Sequence, residues 1–174
     1  MSNLRLINET EITSSVSSVS VTDVFSADFD IYCYTLTNFS GGASQATVRT
    51  KFINSSGSVI TSSDYNYAFL NMNVGSSFSE VASSSANNIT GFTDGVVNDL
   101  SATTTTWIFN PYNSSSYTFG LSQSMSSATG IVRAKKAIGV LKLANSITGF
   151  QLVVTAGDNL DAGTIRTYGL RVDS

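Results

Sequence analysis

Apolar and polar residues alternate at period two through most of this 174-residue chain, and that pattern constrains its fold more than any motif does. Successive side chains of a strand point to opposite faces of a sheet, so a period of two marks a strand with one buried face. In "ATVRTKFIN" the alternation sends Ala46, Val48, Thr50 and Phe52 inward and Thr47, Arg49 and Lys51 outward. In "FDIYCYTL" Phe29, Ile31 and Cys33 share one face, and Tyr32, Tyr34 and Leu36 share the other. Two apolar faces predict a strand covered on both sides, or one whose second face meets another subunit.

The same period returns in "SDYNYAFLNM" with Tyr65, Tyr67 and Phe69. In "NSSGSVI" a polar turn precedes Val59 and Ile60, and Gly57 is expected to supply a backbone conformation that other residues resist. Residues 74–102 are rich in Ser, Asn and Gly and read as long loops around one or two short strands, anchored by Val81 and by Ile89 to Phe92. "TTWIFN" and "SYTFGLSQSM" read as two strands around the turn "PYNSS". Pro111 has no amide donor and belongs just past a strand end, and Asn110 before it is expected to be extended. A single Trp flanked at period two by Phe predicts that Trp107 and Phe109 fill the core, with Tyr112 displayed at the turn. "IVRAKKAIGVLKL" reads either as one strand or as a pair with a turn near Ala134 to Ala137. Helix formers are sparse where Ser, Thr and Val dominate. The chain is therefore predicted to be all-β, with roughly nine to eleven short strands in an antiparallel sandwich or barrel. Residues 21–174 fit one domain. Residues 1–20 fit either an arm that pairs with a neighbouring chain or an ordinary first strand.

Composition narrows the chemistry. The chain has no histidine, which removes the commonest general base and zinc ligand. Its single cysteine, Cys33, lies in an alternating run and reads as a small buried hydrophobe. Charged residues make up 12% of the chain and the formal net charge is −3. The only basic cluster, Arg133, Lys135 and Lys136, has no aromatic partners and reads as a solvated strand end or turn. Nucleic-acid binding needs clustered cations and is not expected. Neither a signal peptide nor a membrane-spanning run is visible.

Four features of the chain resemble functional sites. Glu9 with Glu11, and Asp28 with Asp30, share strand faces, but no aromatic cleft surrounds them as glycoside hydrolysis would need. Asp158 and Asp161 in "DNLDAG" resemble a cation loop in composition, yet they are also what tight turns favour. Gly-rich turns occur without any phosphate-binding fingerprint, so no cofactor is expected. Tyr32, Tyr34, Tyr65, Tyr67 and Tyr112 are candidate contacts for a glycan or a neighbouring subunit, since their rings present flat apolar faces with polar rims.

The opening "LRLINETEI…SSVSSVSVTDVFSADFDIY", with "RTKFINSSGSVITSSDYNYA", "IFNPYNSSSYTF", "GVLKLANSITGFQLV" and "GTIRTYGLRV" following in order, resembles small virion proteins of tailed bacteriophages, particularly marine and cyanobacterial ones. The resemblance implies a jelly-roll β-sandwich and a non-enzymatic structural component of the virion, on the capsid surface or in the tail or fibre apparatus. It also implies a homo-oligomer, often a trimer, that contacts other virion proteins and is assembled in the host cytoplasm. Binding of host surface polysaccharide by a fibre tip is the alternative expectation.

Overall fold

Every strand of this chain earns its place by the faces it presents. The computed structural model describes residues 3–42, 47–75, 78–95, 102–128, 131–155 and 158–171, which form twelve strands and no helix. They are β1 (Asn3–Ile12), β2 (Ser18–Val21), β3 (Ile31–Gly41), β4 (Val48–Asn54), β5 (Tyr65–Asn73) and β6 (Ser79–Ala86). β7 (Ile89–Thr90), β8 (Ala102–Phe109), β9 (Thr118–Ala128), β10 (Ile131–Leu141), β11 (Ile147–Val154) and β12 (Leu160–Arg171) complete the set.

The strands build two antiparallel sheets, one ordered β1-β12-β3-β8-β9-β10-β5-β6 and the other β2-β11-β4-β7. The expected all-β sandwich is what the chain adopts. Its first four large-sheet strands, β1-β12-β3-β8, match the small sheet step for step, because the chain crosses between sheets at β1/β2, β3/β4, β7/β8 and β11/β12. This alternation of two four-stranded rows is the jelly-roll arrangement. The hairpins β9-β10 and β5-β6 then extend the large sheet beyond the small one.

Under the small sheet the core is made of rings. Tyr34 stacks on Phe150 with centroids 4.5 Å apart, Phe25 lies 6.0 Å from Phe150, and Phe25 meets Tyr32 edge-on at 4.8 Å. Burying such rings removes large apolar areas from water, at about 25 cal/mol per Å². Over the extension the small sheet contributes only its two-residue edge strand β7, and residues 88–95, which contain it, form the cover. Gly120 and Gly139 face each other in register, and a Cβ built on either would fall 2.3 to 2.9 Å from the Phe92 ring. The missing side chains make the hollow that receives Phe92.

Several local expectations change. β10 runs unbroken through Ala134 to Ala137, paired along its length with both β9 and β5, so no turn interrupts it. Val59 and Ile60 do not begin a full strand: Val59 forms one isolated bridge to Ile53, and the Ile60 amide donates to the Phe52 carbonyl. Gly57 does adopt a positive φ of 76°. Asn110 is not extended; its φ is 55°, a region Asn tolerates, and its amide donates to the Asp30 carbonyl at 2.8 Å. That tertiary bond outweighs the local preference imposed by Pro111. The tract 1–20 supplies β1, paired with β12, and β2, paired with β11, both edge strands of the chain's own sheets.

Candidate functional site

The outer face of the large sheet, the one turned away from the core, carries the most unusual surface of the molecule. Register places Leu6 opposite Tyr168, Tyr168 opposite Cys33, Cys33 opposite Trp107, Trp107 opposite Leu121, Leu121 opposite Ile138, and Ile138 opposite Ala68. One unbroken apolar row therefore crosses the sheet, strand by strand. A second row runs beside it through Ile31, Phe109, Phe119 and Val140. Leu6 is 50% exposed, Phe119 44% and Ile138 58%. Large apolar side chains are normal singly on a surface; a continuous band of them marks a contact surface.

Part of this band lines an open groove of about 1040 Å³, walled by Phe109, Phe119, Leu121, Ile138 and Val140 with Asn66 at its rim. The Asn66 Oδ1 atom is buried and meets no hydrogen-bond partner among the described residues. A buried acceptor left unpaired is costly, so it is a site for an incoming donor. The next rows are polar: Glu9 pairs with Arg166 in an ion pair at one end, and Lys136, Leu70 and Glu80 follow one another in register at the other.

The predicted site residues separate sharply. Tyr32, Tyr34 and Tyr65 are not displayed; all three are buried in the core with their hydroxyls satisfied. Tyr32 Oη donates to the Ser26 carbonyl at 2.9 Å, and Tyr65 Oη donates to the Ile60 carbonyl and accepts the Phe52 amide, each at 3.0 Å. Tyr34 Oη lies 3.4 Å from Thr50 Oγ1. Burial pushes the Tyr34 phenol above its ordinary value and the Tyr65 phenol up to about 12. Tyr67 stacks on Phe69 at 6.1 Å and is partly buried, whereas Tyr112 is 39% exposed in the turn after β8. Trp107 and Phe109 are not core: Ile108, Thr106 and Thr104 face inward, and the two rings are partly buried on the outer face. The inner position is already occupied there, because Phe92 and Ile108 pack together above Gly120.

Cys33 also belongs to the outer face. It is buried at 2% exposure between Tyr168 and Trp107, and burial pushes its thiol from 9.0 up to about 11. A thiol held neutral is a poor nucleophile. Asp28 is engaged locally by Ser26, whose hydroxyl donates to it at 3.0 Å, and Asp28 and Asp30 are both exposed. β12 begins at Leu160, so Asp161 is a strand residue while Asp158 stays in the connection, its amide donating to Thr155. No group of three or more His, Cys, Asp or Glu side chains converges among the described residues.

One constellation was invisible to sequence reasoning. Arg133 and Lys135 are not a solvated strand end; they alternate onto the inner face of β10, opposite Asn73 and Asn71 of β5. Lys135 Nζ lies 2.8 Å from Asp94 Oδ1, and Asp94 is 2% exposed. The same Oδ1 accepts the Gly95 amide at 2.8 Å, and Oδ2 accepts the Ser126 hydroxyl at 2.6 Å. The ammonium also sits 5.0 Å above the Phe69 ring. The signal that could have found it is the placement of charges at alternate positions of a strand, 133 and 135, which puts both on one face.

No protein family matches the sequence, and no curated protein matches it. Among solved structures, a PL-14 alginate lyase from Aplysia kurodai is similar at 7% identity and a TM-score of 0.36, covering 84% of this chain and 70% of the lyase. A GH43 protein from Bacillus licheniformis is similar at 14% identity and a TM-score of 0.33, covering 80% of this chain and 28% of that protein. Congerin II, crystallised with lactose, is similar at 11% identity and a TM-score of 0.22. Likenesses at these scores carry no argument about function.

Proposed function

We propose that this chain is a non-enzymatic structural protein of a tailed-phage virion that assembles by packing the outer face of its large sheet against another copy of itself. The observation that carries the reading is the apolar band crossing every strand from β1 to β5. The seven strands from β1 to β5 in sheet order, spaced at about 4.8 Å, span roughly 29 Å; one row crosses all seven and the second crosses four, each covering about 7 Å of strand length. The band thus offers on the order of 300 Å² per copy, the core of a weak interface that the flanking polar row would have to widen. A second copy suits it because both ends of the flanking polar row carry mixed charge, Glu9 with Arg166 and Lys136 near Glu80, so a two-fold arrangement sets no like-charged block against another. The unpaired Asn66 Oδ1 supplies a waiting acceptor for the partner. The virion assignment rests on the sequence resemblance.

Light scattering on the purified chain tests the reading. An oligomer is expected for the native sequence and a monomer for Ile138→Asp, with the variant's folding stability changed by no more than about 0.5 kcal/mol because the site is exposed. A native chain that stays monomeric at high concentration overturns it. A second reading, contact with neutral host polysaccharide, is favoured by the adjacent outward rings of Trp107, Phe109 and Phe119. It expects polysaccharide binding that Phe119→Ala abolishes, and a glycan array without binding removes it.

A further inference from the structure

The opposite, inner face of the same sheet holds a second cavity, of about 340 Å³, at the far ends of β5 and β10. Its walls are chemically mixed: Arg133 and Lys135 of β10, Asn71 and Asn73 of β5, Thr90 and Asp94 of the covering segment, and the apolar side chains of Phe69 and Val81. The charges here do not cancel. Lys135 is taken by Asp94, and both Asp94 oxygens are already engaged, so no carboxylate is left to face the cavity. Arg133 has no such counter-ion among the described residues, and its Nε is buried without a hydrogen-bond partner. Leaving a guanidinium nitrogen buried and unpaired is unfavourable unless a ligand completes it.

We infer that this cavity binds an acidic sugar, a ring of monosaccharide size bearing one carboxylate. A guanidinium presents a planar fork of donors that matches a carboxylate. The Asn73 amide can meet sugar hydroxyls directly, while Asn71, whose amide donates to Ser79 Oγ, and Thr90, whose hydroxyl donates to Asn88 Oδ1, offer their oxygens as acceptors. Phe69 with Val81 offers an apolar wall for the carbon face of the ring. A metal cation is disfavoured there, because Arg133 and Lys135 repel it and Asp94 is already paired with Lys135. The inference does not rest on the assembly reading, which uses the other face of the sheet.

Titration calorimetry of the full chain with sodium glucuronate, with glucose as the neutral control and sodium sulfate as the bare oxyanion, tests it. Glucuronate is expected to bind at least tenfold more tightly than glucose, and sulfate to compete with it. Arg133→Gln is expected to weaken glucuronate at least tenfold at unchanged melting temperature, and Arg133→Lys to recover only part of the loss. As a readout that does not depend on a variant folding, the Arg133 Nε–H resonance of the native chain is expected to shift on adding glucuronate. Absence of glucuronate binding at millimolar concentration, equal affinity for glucose, or an unmoved Arg133 resonance overturns the inference. Sulfate binding as tightly as glucuronate would overturn the sugar and leave a plain oxyanion site.

Discussion

The two halves of the large sheet solve the same problem with different materials. The half made of β1, β12, β3 and β8 lies under a second sheet, and its interior is dominated by rings centred on Phe150, with Thr104, Thr106 and Thr167 buried beside them. The half made of β9, β10, β5 and β6 lies under residues 88–95, and its interior carries Ser122, Ser124, Ser126 and an ion pair beside its rings. A covering strand pairs its backbone with neighbouring strands, so side chains beneath it are free to be apolar. Past the short pairing of β7 with β4, the covering segment runs irregularly, and its buried backbone groups must be paired somewhere. An inward hydroxyl supplies one such partner: Ser122 Oγ donates to the Phe92 carbonyl at 2.6 Å, and Thr106 Oγ1 of the neighbouring strand lies 2.9 Å from Ser122 Oγ. What covers a sheet thus dictates which residues its inner face carries.

The comparison is open to direct attack. The largest effect is expected from Phe150→Ala, which removes the ring that both Phe25 and Tyr34 contact; urea denaturation should show a loss of about 3–5 kcal/mol. Asp94→Ala strikes the other half by leaving Lys135 without its counter-ion, at a cost of about 3 kcal/mol. Hydrogen exchange should then quicken in β9 and β10 well before β3 and β11, and uniform quickening would show that the halves are not separable. Gly139→Ala pushes a methyl into the space of Ile89 and Phe92 and should cost about 1–3 kcal/mol. A neutral result there would mean that residues 88–95 lift away easily.

The smallest effect concerns pH. The Cys33 thiol is raised from 9.0 to about 11 in the folded chain, so between those values the folded state holds a proton that the unfolded state has released. Stability from this group is full below pH 9 and is lost as pH rises toward 11. The stability difference between the native chain and Cys33→Ala should be constant below pH 9 and change only in that window. Thiol labelling at neutral pH should be slow until denaturant is added.

Much of this was legible in the alternation. The strands around Tyr32, Phe52, Tyr65 and Trp107 all sit where period two places them, and the turn at Gly57 has the backbone its glycine implies. What alternation does not encode is which of two apolar faces turns inward. In β8 the threonines at 104 and 106 go in with Ile108, and Trp107 goes out, against the expectation that the largest ring is buried. The choice depends on Phe92, which arrives from a distant segment. Tyr32, Tyr34 and Tyr65 were misplaced for a related reason: a phenol reads as amphipathic until a carbonyl or hydroxyl from another segment satisfies it. The pairing of Asp94 with Lys135 spans segments whose proximity no local pattern signals.

The pairing of β1 with β12 has a consequence for how the chain comes to be. Asn3 stands opposite Arg171, so β1, synthesised well over a hundred residues ahead of β12, must wait for that strand before it has a partner. During that interval Leu4, Leu6 and Ile7 travel on an unpaired edge. Non-local closure of this kind is slow, on the order of milliseconds to seconds in β-rich domains. The speed of synthesis and the crowd of sister chains around the ribosome therefore bear on the yield of folded protein as much as final stability does.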